Sequence, residues 1–370
     1  MVSAATGGKP GRLSVVSSGC DPVANLEPQA LGMTYWFEAA ASGSPYAVAI
    51  RFDGQRVGAR ADLGPGDRFS VMGTVDPVIP GSGPIALTAR AVNVNHGEWR
   101  VVATPVEPPG RARRAATRRR TLAAGSTSGT TGFAPVVRVQ APGARLGAWP
   151  ACVATGAAIA LSVQAVLAAQ QQLPLGRVLL ISIVACLLGL AGAKAYYLAT
   201  HRGQQHGLTT TGMSIQGFVL AAIATVIGGG LLAAVPMGQI LDVTTPGLLF
   251  GMTLGRFGCF FGGCCVGLPT SSRRGLWSSD RRVGVRRIPV QLFESSMAGI
   301  LGLTALLVVT TSDLPVDGAV FVASIAAYTF GRQLLFPLRG IPRKTVHGRT
   351  VTMAITAIVI AADIAVNVLA

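Results

Sequence analysis

The chain has 370 residues and a formal net charge of +16, with 50% of its residues hydrophobic and only 12% charged. Its mean hydropathy of +0.51 is typical of a polytopic membrane protein and argues against a wholly water-soluble one. The arginines that carry the charge lie in runs between apolar segments. We therefore expect an anionic membrane surface as a partner, and no nucleic acid.

The first 147 residues divide into three parts. Residues 1–30 are rich in Gly, Ala and Pro and are expected to be disordered. Residues 31–106 carry short alternating apolar runs separated by turn residues, which predict a small all-β, sandwich-like domain. The predicted strands are 33–37, 46–52, 68–72, 85–92 and 98–102. Residues 107–147 contain a run of arginines and are predicted to form a flexible, Arg-rich linker.

Seven apolar segments follow, each long enough to cross a bilayer as a helix. They are 149–169, 178–199, 212–235, 244–263, 292–309, 319–338 and 350–369. We therefore predict a mainly α, polytopic membrane fold with seven transmembrane helices over residues 148–370. We expect a multi-pass protein of the plasma (inner) membrane. Arginine is concentrated before the first span and in the even-numbered connections, so the positive-inside rule predicts that the N-terminal domain lies in the cytoplasm. No signal peptide is recognisable, which agrees with that side.

Arg256 is the only charged residue between positions 243 and 267. An arginine in apolar sequence normally faces a bundle interior, a water-filled cavity or an anionic partner. Gly255 and Gly258 would let a helix or a ligand approach its guanidinium closely. We interpret Arg256 as a residue that holds a lipid phosphate in the membrane; the alternative is an arginine that extends from a helix end to the interface.

Four motifs occur along this part of the chain. They are Gly-Met-Ser-Ile-Gln-Gly at 212–217, Asp242 and Pro246 with Gly-Arg-Phe-Gly-Cys-Phe at 255–260 and a further glycine at 267, Pro-Val-Gln-Leu-Phe-Glu at 289–294, and Tyr-Thr-Phe-Gly-Arg at 328–332 with Arg339. In this order they resemble the prolipoprotein diacylglyceryl transferase family, over residues 149–369. That family has Gly-Arg-x-Gly-Asn-Phe-x-Asn-x-Glu-x-x-Gly at the second motif and Pro-x-Gln-Leu-Tyr-Glu at the third. Residues 1–145 have no counterpart in it.

The resemblance implies a transfer reaction on a membrane lipid. The family moves diacylglyceryl from phosphatidylglycerol to the lipobox cysteine of a prolipoprotein, and two arginines would neutralise the charge that develops on the departing phosphate. On the matching positions the catalytic set would be Arg256, Arg332, Gln216 and Glu294. Residues that bind phosphatidylglycerol, or another anionic glycerophospholipid, would be Arg256, Cys259, Gly267, Gln291 and Asp242. No cofactor is expected.

The chain also departs from the family's pattern. Gln216 stands where the family has histidine, Cys259 and Gly262 where it has asparagines, and Cys264 where it has glutamate. A glutamine can hold a headgroup but cannot take a proton near neutral pH, so the base for the incoming thiol is missing at that position. An alternative function stays open: a non-catalytic membrane protein that binds lipid or phosphate and has lost its catalytic base.

Three of the six cysteines, Cys259, Cys264 and Cys265, follow Arg256 closely. No nearby histidine or fourth cysteine completes a tetrahedral metal site, so no metal ion is expected. Small, polarisable packing residues are the simplest interpretation. A thiolate that acts as a base and a thiol redox sensor are the alternatives.

Two arguments about membrane orientation disagree. In the family, the connections after the second and fourth spans lie on the outer face, where preproteins arrive. The arginine count places the same connections inside. If the arginines of residues 273–287 bind phosphate instead of setting topology, the arginine count becomes weaker evidence for membrane orientation.

Overall fold

The computed structural model describes residues 11–16, 25–58, 64–108, 122–137, 141–200, 213–312, 315–340 and 347–369. The chain forms two compact units, and each unit draws on separated parts of the sequence. The first, which we call the β unit, comprises Met1–Pro150, Phe257–Phe293 and Pro337–Pro342. The second, which we call the helical unit, comprises Ala151–Arg256, Glu294–Phe336 and Arg343–Ala370.

The described residues of the β unit contain ten strands in two sheets. The strands are β1 (Leu13–Val16), β2 (Gln29–Glu38), β3 (Tyr46–Arg56), β4 (Arg68–Val78), β5 (Pro84–Val92), β6 (Glu98–Val106), β7 (Gly125–Thr130), β8 (Gly132–Phe133), β9 (Leu276–Ser279) and β10 (Val283–Arg287). One sheet has the order β1-β2-β5-β10-β9, with β8 paired to β2, and the other has the order β4-β3-β6-β7. Strands β9 and β10 come from a later part of the chain and join the N-terminal sheet where Val283 pairs with Leu87.

Strand alternation buries side chains from both sheets in one hydrophobic cluster. Tyr35 of β2, Phe52 of β3 and Trp99 of β6 are fully buried in this cluster, and the Trp99 ring packs on Phe69 with 5.3 Å between centroids. The predicted N-terminal β-sheet region is therefore confirmed. All five strands predicted from the sequence lie within β2 to β6.

Five further strands of the described ranges lie where the sequence predicts none, among them β1 and β7. Strand β1 lies in the segment expected to be disordered and pairs with β2, and β7 lies in the predicted linker and pairs with β6. The β7 sequence, Gly-Ser-Thr-Ser-Gly-Thr, has no apolar alternation, and the backbone ladder to β6 sets its position. A Cβ on Gly129 would lie 2.6 Å from Val15, so a glycine here lets β7 pack beside β1. The arginine run of the predicted linker lies outside the described residues.

The described residues include seven α-helices. They are α1 (Ala148–Gln170), α2 (Leu175–Thr200), α3 (Ile215–Ala233), α4 (Met237–Gly262), α5 (Val290–Thr311), α6 (Ala319–Leu335) and α7 (Gly348–Leu369), and a 3-10 turn, Phe336–Leu338, extends α6. In the described part of the chain, six of these helices are long and apolar enough to cross a membrane, and α4 is the exception. Large apolar side chains such as Leu180, Leu220 and Leu303 are exposed on them, as a lipid-facing surface requires. The chain is a multi-pass membrane protein.

Helix α4 begins at Met237, before its predicted start at position 244, and continues through Pro246. Proline removes one backbone donor from a helix, and neighbouring hydroxyl groups commonly restore the balance. Thr244 and Thr245, just before Pro246, donate their hydroxyl hydrogens to the carbonyl oxygens of Ile240 and Leu241, at 2.5 and 2.8 Å. Hydroxyl groups, glycines and charges lower the hydropathy of α4. Its role as a seventh span therefore stays a prediction.

Helices of the helical unit pack against one another at small residues. A Cβ on Gly156 of α1 would lie 2.9 Å from the Gly251 carbonyl oxygen of α4. A Cβ on Gly192 of α2 would lie 2.7 Å from the Gly217 carbonyl oxygen of α3. These backbones approach closely because no side chain separates them, which is how helices commonly associate in lipid.

A buried amide joins three of these helices. Gln164 of α1 is almost completely buried, and its Nε2 donates hydrogen bonds to Ser182 Oγ of α2 at 2.8 Å and to Thr244 Oγ1 of α4 at 2.6 Å. The only strongly polar group of the first predicted span thus serves to connect helices.

Candidate functional site

Three helices of the helical unit meet at a buried group of charges, which we call the Arg–Glu–Arg cluster. Glu294 lies near the start of α5 and is fully buried. Its Oε2 lies 2.9 Å from the Nε of Arg256 on α4, and its Oε1 lies 3.9 Å from the Nε of Arg332 on α6. The Arg256 side chain is 15% exposed and the Arg332 side chain is 37% exposed. One inaccessible carboxylate therefore orients two guanidinium groups that a ligand can reach.

Tyr328 is a member of this site that was not assigned a role from the sequence. The Arg256 Nη2 donates to its hydroxyl oxygen at 3.4 Å. Tyr328 precedes Arg332 by four residues, so both lie on one face of α6. That spacing inside the fourth motif is the signal that could have identified it.

Local packing holds α4, α5 and α6 around the cluster. Ser295, next to Glu294, donates its hydroxyl hydrogen to the Thr253 carbonyl oxygen at 2.9 Å and so joins α5 to α4. Gly331, next to Arg332, faces Met297 of α5 so closely that a Cβ would collide with its sulfur. A buried carboxylate is costly without cationic partners, so the two arginines and Glu294 stabilise one another's positions.

Two guanidinium groups and one carboxylate give the cluster a net charge of +1. A guanidinium presents its N–H donors as a planar fork that matches the oxygens of a phosphate. Fixed cations also stabilise negative charge that develops during a reaction, without reorganising at that moment. The arrangement can therefore hold a phosphate ester and stabilise it as a leaving group.

Asp242 lies apart from the cluster. Its carboxylate accepts hydrogen bonds from the backbone N–H groups of Gly318 at 2.6 Å and Phe321 at 3.1 Å, so it caps the N-terminus of α6. Arg332 lies in the last turn of that helix. Along α4, Asp242 is about 21 Å from Arg256, at 1.5 Å per residue. The structure thus gives Asp242 a helix-capping position, and does not bring it together with Arg256.

Gln216 lies in the first turn of α3 and is exposed. Its Oε1 accepts a hydrogen bond from the Ser214 hydroxyl at 3.0 Å. This hydrogen bond does not join Gln216 to the Arg–Glu–Arg cluster.

Gln291 and Gly267 lie in the β unit and shape the segment that follows α4. Gln291 is almost fully buried, and its Nε2 donates to the Cys264 carbonyl oxygen at 3.0 Å. The Gly267 carbonyl oxygen accepts a hydrogen bond from Arg287 Nη1 at 3.2 Å, and a Cβ on Gly267 would collide with the Val290 side chain at 2.9 Å. Both residues are placed to hold the backbone of this segment.

The thiols of Cys259, Cys264 and Cys265 converge at the end of α4, also in the β unit. Their sulfur atoms all lie within 4.8 Å of one another. The pKa of the Cys264 thiol is raised above its ordinary value because it shares hydrogen bonds with Cys259 and Cys265 and is partly buried. The raised pKa therefore disfavours a thiolate base at Cys264, which is one of the alternatives suggested by the sequence.

The fold and the cluster define a class of protein: a multi-pass membrane protein whose helices carry two arginines around one buried carboxylate. The chain belongs to the prolipoprotein diacylglyceryl transferase family, whose model matches residues 137–369. The resemblance drawn from the four motifs is confirmed by this match.

Several relatives carry the name phosphatidylglycerol–prolipoprotein diacylglyceryl transferase. The one from Chloroflexus aggregans is 34% identical over 97 residues, which are 24% of this chain and 32% of the relative. The one from Dehalococcoides mccartyi is 33% identical over 100 residues, 26% of this chain and 38% of the relative. The one from Clostridium tetani is 30% identical over 111 residues, 29% of this chain and 44% of the relative. The matched part spans less than half the length of each of these relatives.

Proposed function

We propose that this chain transfers a diacylglyceryl group from phosphatidylglycerol to the cysteine thiol of a prolipoprotein. The observation that carries the proposal is the Arg–Glu–Arg cluster, in which the buried Glu294 carboxylate orients Arg256 and Arg332 and leaves a net positive charge. Membership of the family supports it, because the relatives carry the name of this activity.

In this reaction the acceptor sulfur attacks the glyceryl carbon that bears the phosphate ester. A C–S bond forms while the C–O bond breaks, the electron pair of that bond leaves with glycerol phosphate, and the thiol gives up its proton. Arg256 and Arg332 would bind the phosphate and neutralise the charge that it gains. Removing one such preorganised donor typically lowers kcat by about 10²–10³-fold.

Glu294 acts in this proposal as a positioning residue. It is fully buried and cannot itself reach the lipid. Its carboxylate lies within 4 Å of both guanidinium groups, which would otherwise repel each other. The predicted catalytic role of Glu294 is therefore exerted through the two arginines.

The test measures transfer to a lipobox peptide in vesicles that contain phosphatidylglycerol, together with rescue of a strain depleted of its own prolipoprotein-lipidating enzyme. We expect Arg256→Ala to lower the transfer rate about 10²–10³-fold and to abolish rescue. Arg256→Lys should recover only part of the rate, because an ammonium group lacks the planar fork. Arg349→Lys is the matched control: Arg349 donates to the Gln333 carbonyl oxygen and lies outside the cluster, so its rate should stay near that of the wild type.

A second function is favoured by Gln216, which cannot serve as a base. In that case the chain binds phosphatidylglycerol through the same arginines and transfers nothing. Lipid binding without transfer by the wild type, unchanged in a Gln216→His variant, would contradict the transferase proposal and support this one. Transfer that rises in the Gln216→His variant would show that the remaining machinery is intact.

The proposal includes a membrane arrangement. Helix α4 is a seventh span, because α1 contacts it closely at Gly251, and α5 contacts it through the Ser295 hydroxyl and an apolar cluster around Leu249. The two N-terminal sheets pack as a sandwich around their common cluster. β10 pairs with β5, and the Leu268 N–H donates to the Leu338 carbonyl oxygen, so the N-terminal sheets share one side of the plasma membrane with the connections after α4 and α6. The arginine count assigns that side to the cytoplasm.

Labelling of introduced cysteines tests this arrangement. Ser128→Cys in β7 and Ser272→Cys after α4 both replace exposed residues. With the β unit in the cytoplasm, both should react with a membrane-impermeant maleimide only after the cells are permeabilised. Reaction of both in intact cells would reverse the orientation, and reaction of only one would contradict the common side.

A further inference from the structure

The three converging cysteines offer a set of donors that the proposed transfer does not yet use. We infer that Cys259, Cys264 and Cys265 form a binding site for a soft divalent cation of the zinc type. Three sulfur donors select such thiophilic ions over Mg²⁺ or Ca²⁺, which prefer oxygen. The sequence predicts no metal, because no nearby histidine or fourth cysteine completes a tetrahedral site. The convergence of three thiols is what sequence spacing could not show.

The sulfur positions are close to those that a metal requires. Zinc–sulfur bonds of about 2.3 Å in tetrahedral geometry place two sulfur atoms about 3.8 Å apart. The three sulfur atoms all lie within 4.8 Å of one another. Small rotations about the side-chain bonds, moving each sulfur by about 1 Å or less, would complete three metal–sulfur bonds.

The backbone that carries the thiols is held in a defined turn. Gly263 has a φ of +68° and Cys265 a φ of +55°, so the chain folds back over the end of α4. The Cys264 N–H donates to the Cys259 carbonyl oxygen at 3.1 Å, and the buried Gln291 amide holds the Cys264 carbonyl oxygen. A left-handed conformation is uncommon for a residue with a side chain. The surrounding contacts therefore fix the turn in which the three side chains meet.

Charge decides between a divalent and a monovalent ion. Three thiolates with a divalent cation carry a net charge of −1, and with a monovalent cation they carry −2. The C-terminus of a helix disfavours an anion. Two arginines offset this at the end of α4: Arg281 donates to the Gly262 carbonyl oxygen at 3.3 Å, and the Arg145 guanidinium lies 5.6 Å from the Phe261 ring centroid. The less negative complex, with a divalent ion, suits this environment better.

The site would also supply a chemical role that Gln216 cannot fill. A zinc ion with three protein ligands keeps a fourth position for water or substrate, and a thiol that coordinates there loses its proton outright. This role rests on the proposed function, because it takes the acceptor thiol as the fourth ligand; metal binding itself does not. The ion would thereby supply the deprotonation that the transfer needs, and the released proton would pass to solvent. Cys259 and Cys264 stand at the positions where the family has asparagine and glutamate.

Metal binding is tested on the full-length protein in detergent, reduced and freed of metal, with Co²⁺ as the spectroscopic probe and Zn²⁺ as its competitor. We expect a thiolate-to-cobalt charge-transfer band at about one ion per chain, lost when Zn²⁺ displaces the cobalt. Cys259→Ser and Cys264→Ser should each weaken binding at least tenfold. Cys186→Ser, which removes a thiol from the exposed face of α2, should leave the titration unchanged.

A measurement on the wild type guards against variants that fail to fold. Zn²⁺ should protect Cys259, Cys264 and Cys265 from alkylation, read residue by residue by mass spectrometry. Absence of both the band and the protection in the fully reduced protein overturns the site. A charge-transfer band that survives both serine substitutions would also overturn the proposed metal site. A disulfide between two of the three, with no zinc binding after its reduction, would instead identify a thiol redox pair.

The role in transfer has a separate readout. A free thiol is only about 3% ionised at pH 7, so removal of zinc by a chelator should slow transfer about 30-fold, and added Zn²⁺ should restore it. Unchanged transfer by protein shown to be metal-free would overturn the activating role. If the zinc-loaded protein transfers nothing, the proposed function fails, while the cobalt titration still decides the metal site.

Discussion

Different interactions stabilise the inside of each of the two units. In the β unit, large side chains such as Tyr35, Phe52 and Trp99 are fully buried between strands. In the helical unit, helices touch through glycines such as Gly156 and Gly192, and large side chains such as Leu303, 62% exposed, face outward. Burial from water drives the first arrangement. Lipid gives no such drive between helices, so close packing and a few polar contacts must hold the second.

The largest expected effect comes from removing one large side chain from the core of the β unit. Trp99→Ala should lower the free energy of unfolding of this unit by about 3–5 kcal/mol, because it leaves a cavity among fully buried side chains. Hydrogen exchange of peptides from β2 to β6 in the full-length protein would measure it.

Leu303→Ala on α5 is the matched control, since it removes an apolar side chain that is already exposed. Exchange in α5 should change little, by about 0.5 kcal/mol or less. A cost as large as that of Trp99→Ala would remove the contrast between the two units.

The next effect comes from adding a single methyl group where α2 and α3 cross. Gly192→Ala should destabilise the helix pair by about 1–3 kcal/mol, because the new Cβ would lie 2.7 Å from the Gly217 carbonyl oxygen. Thermal unfolding in detergent micelles would report the loss. Gly228→Ala in α3, which would meet nothing within 4 Å, should be neutral or slightly stabilising.

A smaller effect is expected at the buried amide of α1. Gln164→Leu should cost about 0.6 kcal/mol and at most about 1.7 kcal/mol, the average and the maximum for hydrogen bonds between membrane helices, because Ser182 and Thr244 lose their common partner. The same unfolding measurement applies. Ser162→Ala removes only a bond to the Ala158 carbonyl oxygen of its own helix and should have less effect.

The smallest effect is a pH dependence confined to the β unit. The pKa of Asp67 is lowered by hydrogen bonds from the side chains of Asn95 and Arg56. Its contribution to stability is therefore present above the unfolded-state pKa of about 3.9 and is lost as the pH falls through the lower, folded-state value. Asp67→Asn should weaken the β unit at neutral pH, and its difference from the wild type should shrink on acidification to about pH 3. A difference that is independent of pH would argue against an ionised Asp67 in this contact.

Elements with a strong apolar pattern were predictable from the sequence. Strands β2 to β6 alternate clearly, and six of the helices are long apolar runs. Strands β7 and β10 were not predicted, since β7 has only Gly, Ser and Thr, and β10 is a short run ending in two arginines. Their places depend on backbone pairing with strands distant in the sequence.

The candidate site was predictable to the extent that its residues fall in motifs. Arg256, Glu294 and Arg332 were expected together, and the structure brings them together. Substrate binding by Asp242 stays a prediction; its carboxylate caps α6, because the start of that helix, far away in sequence, supplies the backbone donors. Sequence spacing does not reveal such a partner.

The pairing of β10 with β5 has a consequence for biosynthesis. The chain emerges from the ribosome N-terminus first, so β5 is made long before β10, and four long helices are made between them. The edge of β5 that pairs with β10 therefore stays without its partner strand until the chain has been synthesised past α4. Strands β9 and β10 can join the sheet only after that point, so an open sheet edge is exposed to wrong pairing during much of the synthesis.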